Sequence, residues 1–272
     1  MANKITTKQQ EILKLLYKYK FLNRKQIQIF LNHKYHKRVN DWLGDLRQKD
    51  FLNRIYSNKF GENTKPAIYY LGLNGIRFLK TQVDCSLEVL GTFYRLKDRS
   101  NDFIEKSILV GKIVLDLKAA AIQSRKSEEE YELSYLVATS TDLADPEYRF
   151  NFLSQYKTDL VIKRLKKKKT GNRTKSDYFL FALIAPTLPR FSIRRQVKNF
   201  IELYNGYEWD EINKTFPTIM IVCPNLPTLI YSKRMAKRLL EDEDNPDDLH
   251  IQFTTIDLII EHGVGGQIWE EI

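Results

Sequence analysis

Residues 36–49 read HKRVNDWLGDLRQK. At helical spacing, Val39, Trp42, Leu43 and Leu46 fall on one side and Lys37, Arg38, Asn40, Asp41 and Arg47 on the other. Lysine and arginine neutralise phosphates, while guanidinium, amide and carboxylate groups hydrogen-bond base edges. A helix with such a face, anchored by its apolar stripe, has what entry into a major groove requires. Arg24 upstream, and Lys34, Tyr35 and His36 at the start of the segment, extend the same surface. Arg54, Lys59 and Lys65 follow in a polar stretch that reads as a hairpin turn, placed to lie along a backbone or reach a minor groove. The competing reading is a solvated face on a protein-interaction module.

Other candidate chemistry is sparse. His33 and His36 lack carboxylate or thiol companions at ligand spacing, so they read as turn and phosphate-side residues and no metal is expected. Cys85 and Cys223 are far apart with no CxxC, which suits a reducing cytoplasm. Cys223, inside TIMIVC, reads as a small buried hydrophobe. Phosphate-loop, dinucleotide, zinc-protease and nucleophile-elbow motifs are absent, and no cofactor is implied. The acidic string at 241–248 lacks the glycine and closing glutamate of a calcium loop and reads as solvated. A basic turn at 163–169 fits either a phosphate contact or an exposed hairpin tip.

Charge is unevenly distributed. Residues 1–80 hold 17 Lys and Arg against 5 Asp and Glu, a net of +12, while the remainder holds 27 against 29, a net of −2. Such segregation points to a polyanion partner for the first 80 residues. These residues read as helix 6–18 with Thr6 or Thr7 as cap, helix 24–31 after Asn23, helix 36–49, a hairpin from FLNRIYS to AIYYLGL, and a short closing helix in LNGIRFLK. Trp42 is expected in the core. Three helices, a hairpin and a closing helix make a winged helix, and YYLGLNGIRFL resembles the last strand and closing helix of many bacterial winged-helix domains.

Residues 83–100 have a mixed pattern and are expected to be a transition between a domain at 1–82 and another at 101–272. The latter begins with a helix at 101–125 and a strand in YELSYLVAT. TDLVIKRL and DYFLFALIAP then form a hairpin, followed by a helix in SIRRQVKNFIELYNGY. FPTIMIVCP is a fully covered strand, NLPTLIYSKRMAKRLLEDED contains a helix, and HIQFTTIDLII is a last strand. This predicts a mixed-sheet α/β layer.

That order resembles the core of the restriction-endonuclease-like (PD-(D/E)xK) superfamily. The chain as a whole is similar to the replication-relaxation family of Gram-positive plasmids and mobile elements. The nuclease resemblance implies an Asp opening one hairpin strand and an acid-x-Lys pair on the next, two acids holding Mg²⁺ over the scissile phosphate. Asp159 in YKTDLVIK matches the first element, and Lys198 and Tyr204 resemble residues of the following helix. The second strand, FLFALIA, has neither acid nor lysine, and Asp177 stands too early. One carboxylate holds a catalytic metal poorly, so the resemblance implies a vestigial, non-hydrolytic domain; Asp159 also reads simply as a strand-end residue.

The expected function is duplex-DNA binding in the replication, conjugative transfer or regulation of a plasmid, phage or other mobile element. A homodimer, with replication or transfer proteins as further partners, is expected. A transcription regulator with a C-terminal dimerisation or effector domain, a metal-dependent nuclease and a partner-binding adaptor stand as alternatives. No apolar run reaches membrane-spanning length and no secretory signal is evident, so a cytoplasmic location without membrane contact is expected.

Overall fold

The computed structural model describes residues 5–57, 59, 64–128, 130–170, 174–206, 208–209, 215–241 and 249–272. Gly61, the Gly171 turn and the acidic string beyond Glu241 lie outside them. The chain divides into two compact units, Met1–Leu115 with Ala144–Pro146 and Asp116–Leu143 with Glu147–Ile272.

In the first unit, α1 (Thr7–Tyr19) is capped by Thr6. The Thr6 hydroxyl accepts the Gln9 amide and the Gln9 side chain accepts the Thr6 amide, a reciprocal capping box. After β1 (Leu22–Asn23), Asn23 and Gln26 repeat this device at the start of α2 (Arg24–Phe30). α3 (His36–Gln48) packs Val39, Leu43 and Leu46 inward against Ile12, Leu13, Leu16 and Ile27, all 1% exposed or less. β2 (Leu52–Ile55) and β3 (Ile68–Leu71) are antiparallel, and β1 pairs with the far side of β3, giving the order β1-β3-β2.

The chain then turns sharply into α4 (Leu73–Leu79). A Cβ on Gly72 would stand 2.5 Å from the Asp50 carbonyl oxygen, and one on Gly75 2.3 Å from that of Phe51. The backbones are this close because the Gly72 amide donates to Phe51 and the Asn74 amide to Asp50. Close approach is thus the physical content of the glycine spacing in YYLGLNG.

Residues 83–100 are not a loose transition. α5 (Leu87–Thr92) and a 3-10 turn at Phe93–Asp98 bury Val89, Leu90, Phe93 and Leu96. Phe93 stacks on Tyr17, whose hydroxyl accepts the Ser86 amide. The first part of α6 (Asn101–Lys126) also belongs here: Gln26 donates to the Ile108 carbonyl at 2.7 Å, and Gly111 lies against Leu22 and Gln26. The division therefore falls inside α6 rather than at 83–100. Residues 81–115 add five basic and five acidic groups, so the excess positive charge of the unit stays in its first 80 residues.

The second unit is built on a mixed six-stranded sheet. β4 (Tyr131–Thr139) is followed by α7 (Ser140–Leu143), and β5 (Leu160–Lys168) and β6 (Thr174–Leu183) continue an antiparallel meander. α8 (Arg190–Asn205) crosses to β7 (Thr218–Cys223), parallel to β6, and α9 (Leu226–Leu240) to β8 (Ile251–Thr255), parallel to β7. β7, flanked by two parallel strands, is the expected covered apolar run.

The expected last strand is shorter than the stretch HIQFTTIDLII. It stops at Thr255, whose hydroxyl accepts the Leu258 amide and starts α10 (Ile256–His262); β9 (Glu270–Glu271) then closes the sheet. Trp209, fully buried, stacks on Phe150 and meets Tyr178 edge-on, and its indole nitrogen donates to the Thr215 carbonyl. No helix among the described residues is long and apolar enough to cross a membrane.

Candidate nucleic-acid interface

Lys37, Arg38, Asn40, Asp41 and Arg47 are all exposed on α3. None of Lys37, Arg38 and Arg47 forms an ion pair among the described residues. Asp45, half-exposed on the flank of the same helix, is tied down instead: it accepts from Gln9 at 2.6 Å and from Lys49 at 2.8 Å. The Lys49 hydrogen bond, outweighing burial, holds the Asp45 carboxyl below its ordinary value. α3 thus separates cations left open to solvent from a charge used to fix the helix to α1.

Trp42 is only partly buried, which corrects its expected place in the core. It sits at the margin of the apolar stripe, where the guanidinium of Arg38, one turn earlier, lies over its ring at 5.7 Å. Sequence reasoning missed this pairing, although its i, i+4 spacing signals it. His33 also meets Trp42, edge-on at 4.9 Å, and its Nδ1 accepts the Tyr35 amide at 3.2 Å. This His33 contact fixes the turn before α3 and leaves Tyr35 65% exposed at its start.

The other expected residues divide by element. Lys34 and His36 are exposed beside Tyr35, with the Lys34 ammonium 5.8 Å from the tyrosine ring. Arg24 is partly buried at the start of α2 and donates to Gln28 at 3.0 Å. Arg54 is exposed on β2, its guanidinium over the Tyr56 ring at 5.2 Å. Lys59 and Lys65 are exposed at the two ends of the β2–β3 turn. Lys25, exposed on α2, is a further cation of this unit that the sequence reading passed over.

No protein-family model and no curated protein matches the chain. Among solved structures, the chain is similar to a mutant of ZitR from Lactococcus lactis. The identity is 16%, the match covers 47% of this chain and 79% of that one, and the TM-score is 0.26.

In the second unit, Asp159 precedes β5 and is 8% exposed. Its carboxylate accepts the Leu183 amide at 2.8 Å, and its own amide donates to the Phe181 carbonyl at 2.8 Å. Its neighbours across the strand are therefore Phe181 and Leu183, and Phe181 is met edge-on by Trp269. Lys198 is exposed and paired with Glu202, and Tyr204 packs on Phe216. Asp177 lies four pairs further along the hairpin than Phe181, opposite Arg164, where it binds Arg164 and Lys166. Among the described residues, no group of three or more His, Cys, Asp or Glu is placed to hold a metal ion. Both cysteines are buried and unbridged, and burial pushes the thiol of Cys85 up to about 11 and that of Cys223 to about 12.

Proposed function

We propose that this chain binds duplex DNA through a winged helix-turn-helix in its first unit, with α3 in the major groove and the β2–β3 turn along the backbone. The observation that carries this reading is the outer face of α3. Lys37, Arg38, Asn40, Asp41 and Arg47 are exposed together, and the three cations are unneutralised among the described residues. Three helices followed by a hairpin whose sheet runs β1-β3-β2 support the winged-helix assignment.

From the end of α6 onward, the order β4-α7-β5-β6-α8-β7, with an antiparallel meander followed by a parallel strand, supports a restriction-endonuclease-like domain. Phe181 and Leu183 beside Asp159 support an inactive one, in which that carboxylate holds two strands together. On this reading the protein organises DNA for a plasmid, phage or other mobile element, as a homodimer in replication, transfer or their control.

The test is fluorescence anisotropy with labelled duplexes across a salt series. Binding should weaken steeply with salt as counterions are released, and Arg38→Ala should lower affinity. Salt-insensitive binding, or none to any duplex, sinks the proposal. Mg²⁺-dependent cleavage abolished by Asp159→Ala would replace it with the nuclease reading. A palindromic operator upstream of a controlled gene would favour a transcription regulator.

A further inference from the structure

α8 and α9 pack side by side in the second unit, and Ile193, Val197 and Phe200 of one and Leu229 and Ala236 of the other enter a single buried cluster. Their outer sides are exposed. α8 shows Arg194, Arg195 and Lys198, and α9 shows Arg234, Lys237 and Arg238. Of these six, Lys198 alone has an acidic partner among the described residues, Glu202 at 3.2 Å. Residues 81–272 are net −2, so this is a local concentration of cations rather than part of a general excess.

Apolar side chains stand among the cations. Phe191 is 74% exposed, Leu226 59% and Ile230 42%. They belong to the first two turns of the helices, where Arg190 joins α8 to α9. Its guanidinium lies over the Tyr231 ring at 5.2 Å, and the Tyr231 hydroxyl donates to its carbonyl.

We infer that the outer face of α8 and α9 is a docking surface for an acidic, amphipathic segment of a partner protein. A phosphate backbone would satisfy the cations but offer nothing to cover Phe191, Leu226 and Ile230. An acidic segment with apolar anchors covers both. The choice of cation agrees: four of the six residues above are arginine, whereas β5 carries one arginine among five cations. Arginine pairs with carboxylates in bidentate fashion and is enriched with aromatics at protein interfaces, where lysine is depleted. The inference does not depend on the DNA reading of the first unit.

The test pans a displayed library of random peptides against the immobilised full chain, then measures the enriched peptides individually. Enriched sequences should combine Asp or Glu with aromatic or aliphatic residues. Phe191→Ala and Arg234→Glu should each weaken their binding roughly tenfold or more, as for interface anchors. Both positions are exposed, so the melting temperature and duplex-DNA affinity should stay as in the parent. Failure to enrich, enrichment without acidic residues, or indifference to both substitutions overturns the inference. So does displacement of the peptides by duplex DNA together with loss of duplex affinity in Arg234→Glu, which would give the face to nucleic acid. Loss of a self-associated form in Phe191→Ala, seen by sedimentation, would give it to a second copy of the chain.

Discussion

Lys37, Arg38 and Arg47 on α3 and Arg164, Lys166 and Lys168 on β5 are two sets of three cations, each on one regular element. The α3 set meets no acid among the described residues. The β5 set is already engaged: Arg164 and Lys166 both reach Asp177, at 2.8 and 3.3 Å, and Lys168 reaches Glu130 at 2.6 Å. A cation in an ion pair must give up that partner before it gains a phosphate. Alternation along the strand puts Arg164, Lys166 and Lys168 on one face, so the difference between the two sets lies in their partners and not in how they are gathered. The density of Lys and Arg along a chain is therefore a poor guide to where a polyanion binds; whether the charges are already neutralised is a better one.

The strongest test of that contrast removes charge from each set in turn. Lys37→Ala with Arg38→Ala should weaken duplex binding by roughly two orders of magnitude near physiological salt and reduce the salt slope by about two. Lys166→Ala with Lys168→Ala should change affinity by less than about threefold, because these charges are partly spent on Asp177 and Glu130. Anisotropy titrations over a salt series measure both. Equal losses from the two pairs would erase the distinction.

A smaller effect, on stability, should follow from Gly75→Ala. The added Cβ meets the Phe51 carbonyl at 2.3 Å, and backbone cannot move aside as a flexible side chain would. The cost should be about 1–3 kcal/mol, as for overpacked sites. Hydrogen exchange should locate it, with faster exchange in α1 and α3 and no change in β6 and β7. Uniform acceleration through both units would show that the mount of α3 is not a separate cooperative element. Trp42→Leu should act more weakly still. It keeps apolar bulk but removes the ring under Arg38, so duplex affinity should fall roughly two- to fivefold, within the range of an exposed cation–π contact. The salt slope should hold.

What could be read from sequence follows the range of the forces involved. α1 and α2 announce themselves by period and cap and α3 by period, because these signals are local, and the exposed face of α3 is the complement of its buried stripe. β1 has two residues, no period to detect, and exists by pairing with Tyr69 and Ile68 far along the chain. α5 and the turn after it are too short for periodicity, and their order comes from Phe93 and Leu96 packing into the first unit. The run at 251–260 mixes apolar residues with Gln252, Thr254, Thr255 and Asp257 and is too short for either period to stand out, so the pattern does not reveal that Thr255 changes from strand residue to helix cap. The neutralisation of β5 was hidden for the same reason as β1: Arg164 meets Asp177 only through the strand register.

That register supplies the subtlest test. Burial pushes the Asp177 carboxyl up, but the Arg164 hydrogen bond and the charges of Arg164 and Lys166 outweigh it and hold the group below its ordinary value. A carboxyl lowered in the folded state contributes stability that is fully present above its unfolded pKa and is lost as pH falls through its folded one. Asp177→Asn should therefore be less stable than the parent at neutral pH, by under about 1 kcal/mol for a pair this exposed. The difference should close as pH drops below the ordinary carboxylate range, in urea unfolding curves taken at several pH values. A gap that persists in acid would mean that Asp177 acts through packing or hydrogen bonding rather than charge. The same substitution releases Arg164 and Lys166 without adding a cation. If engagement is what separates β5 from α3, Asp177→Asn should raise non-specific duplex affinity at low salt by less than about threefold, and salt should abolish the gain.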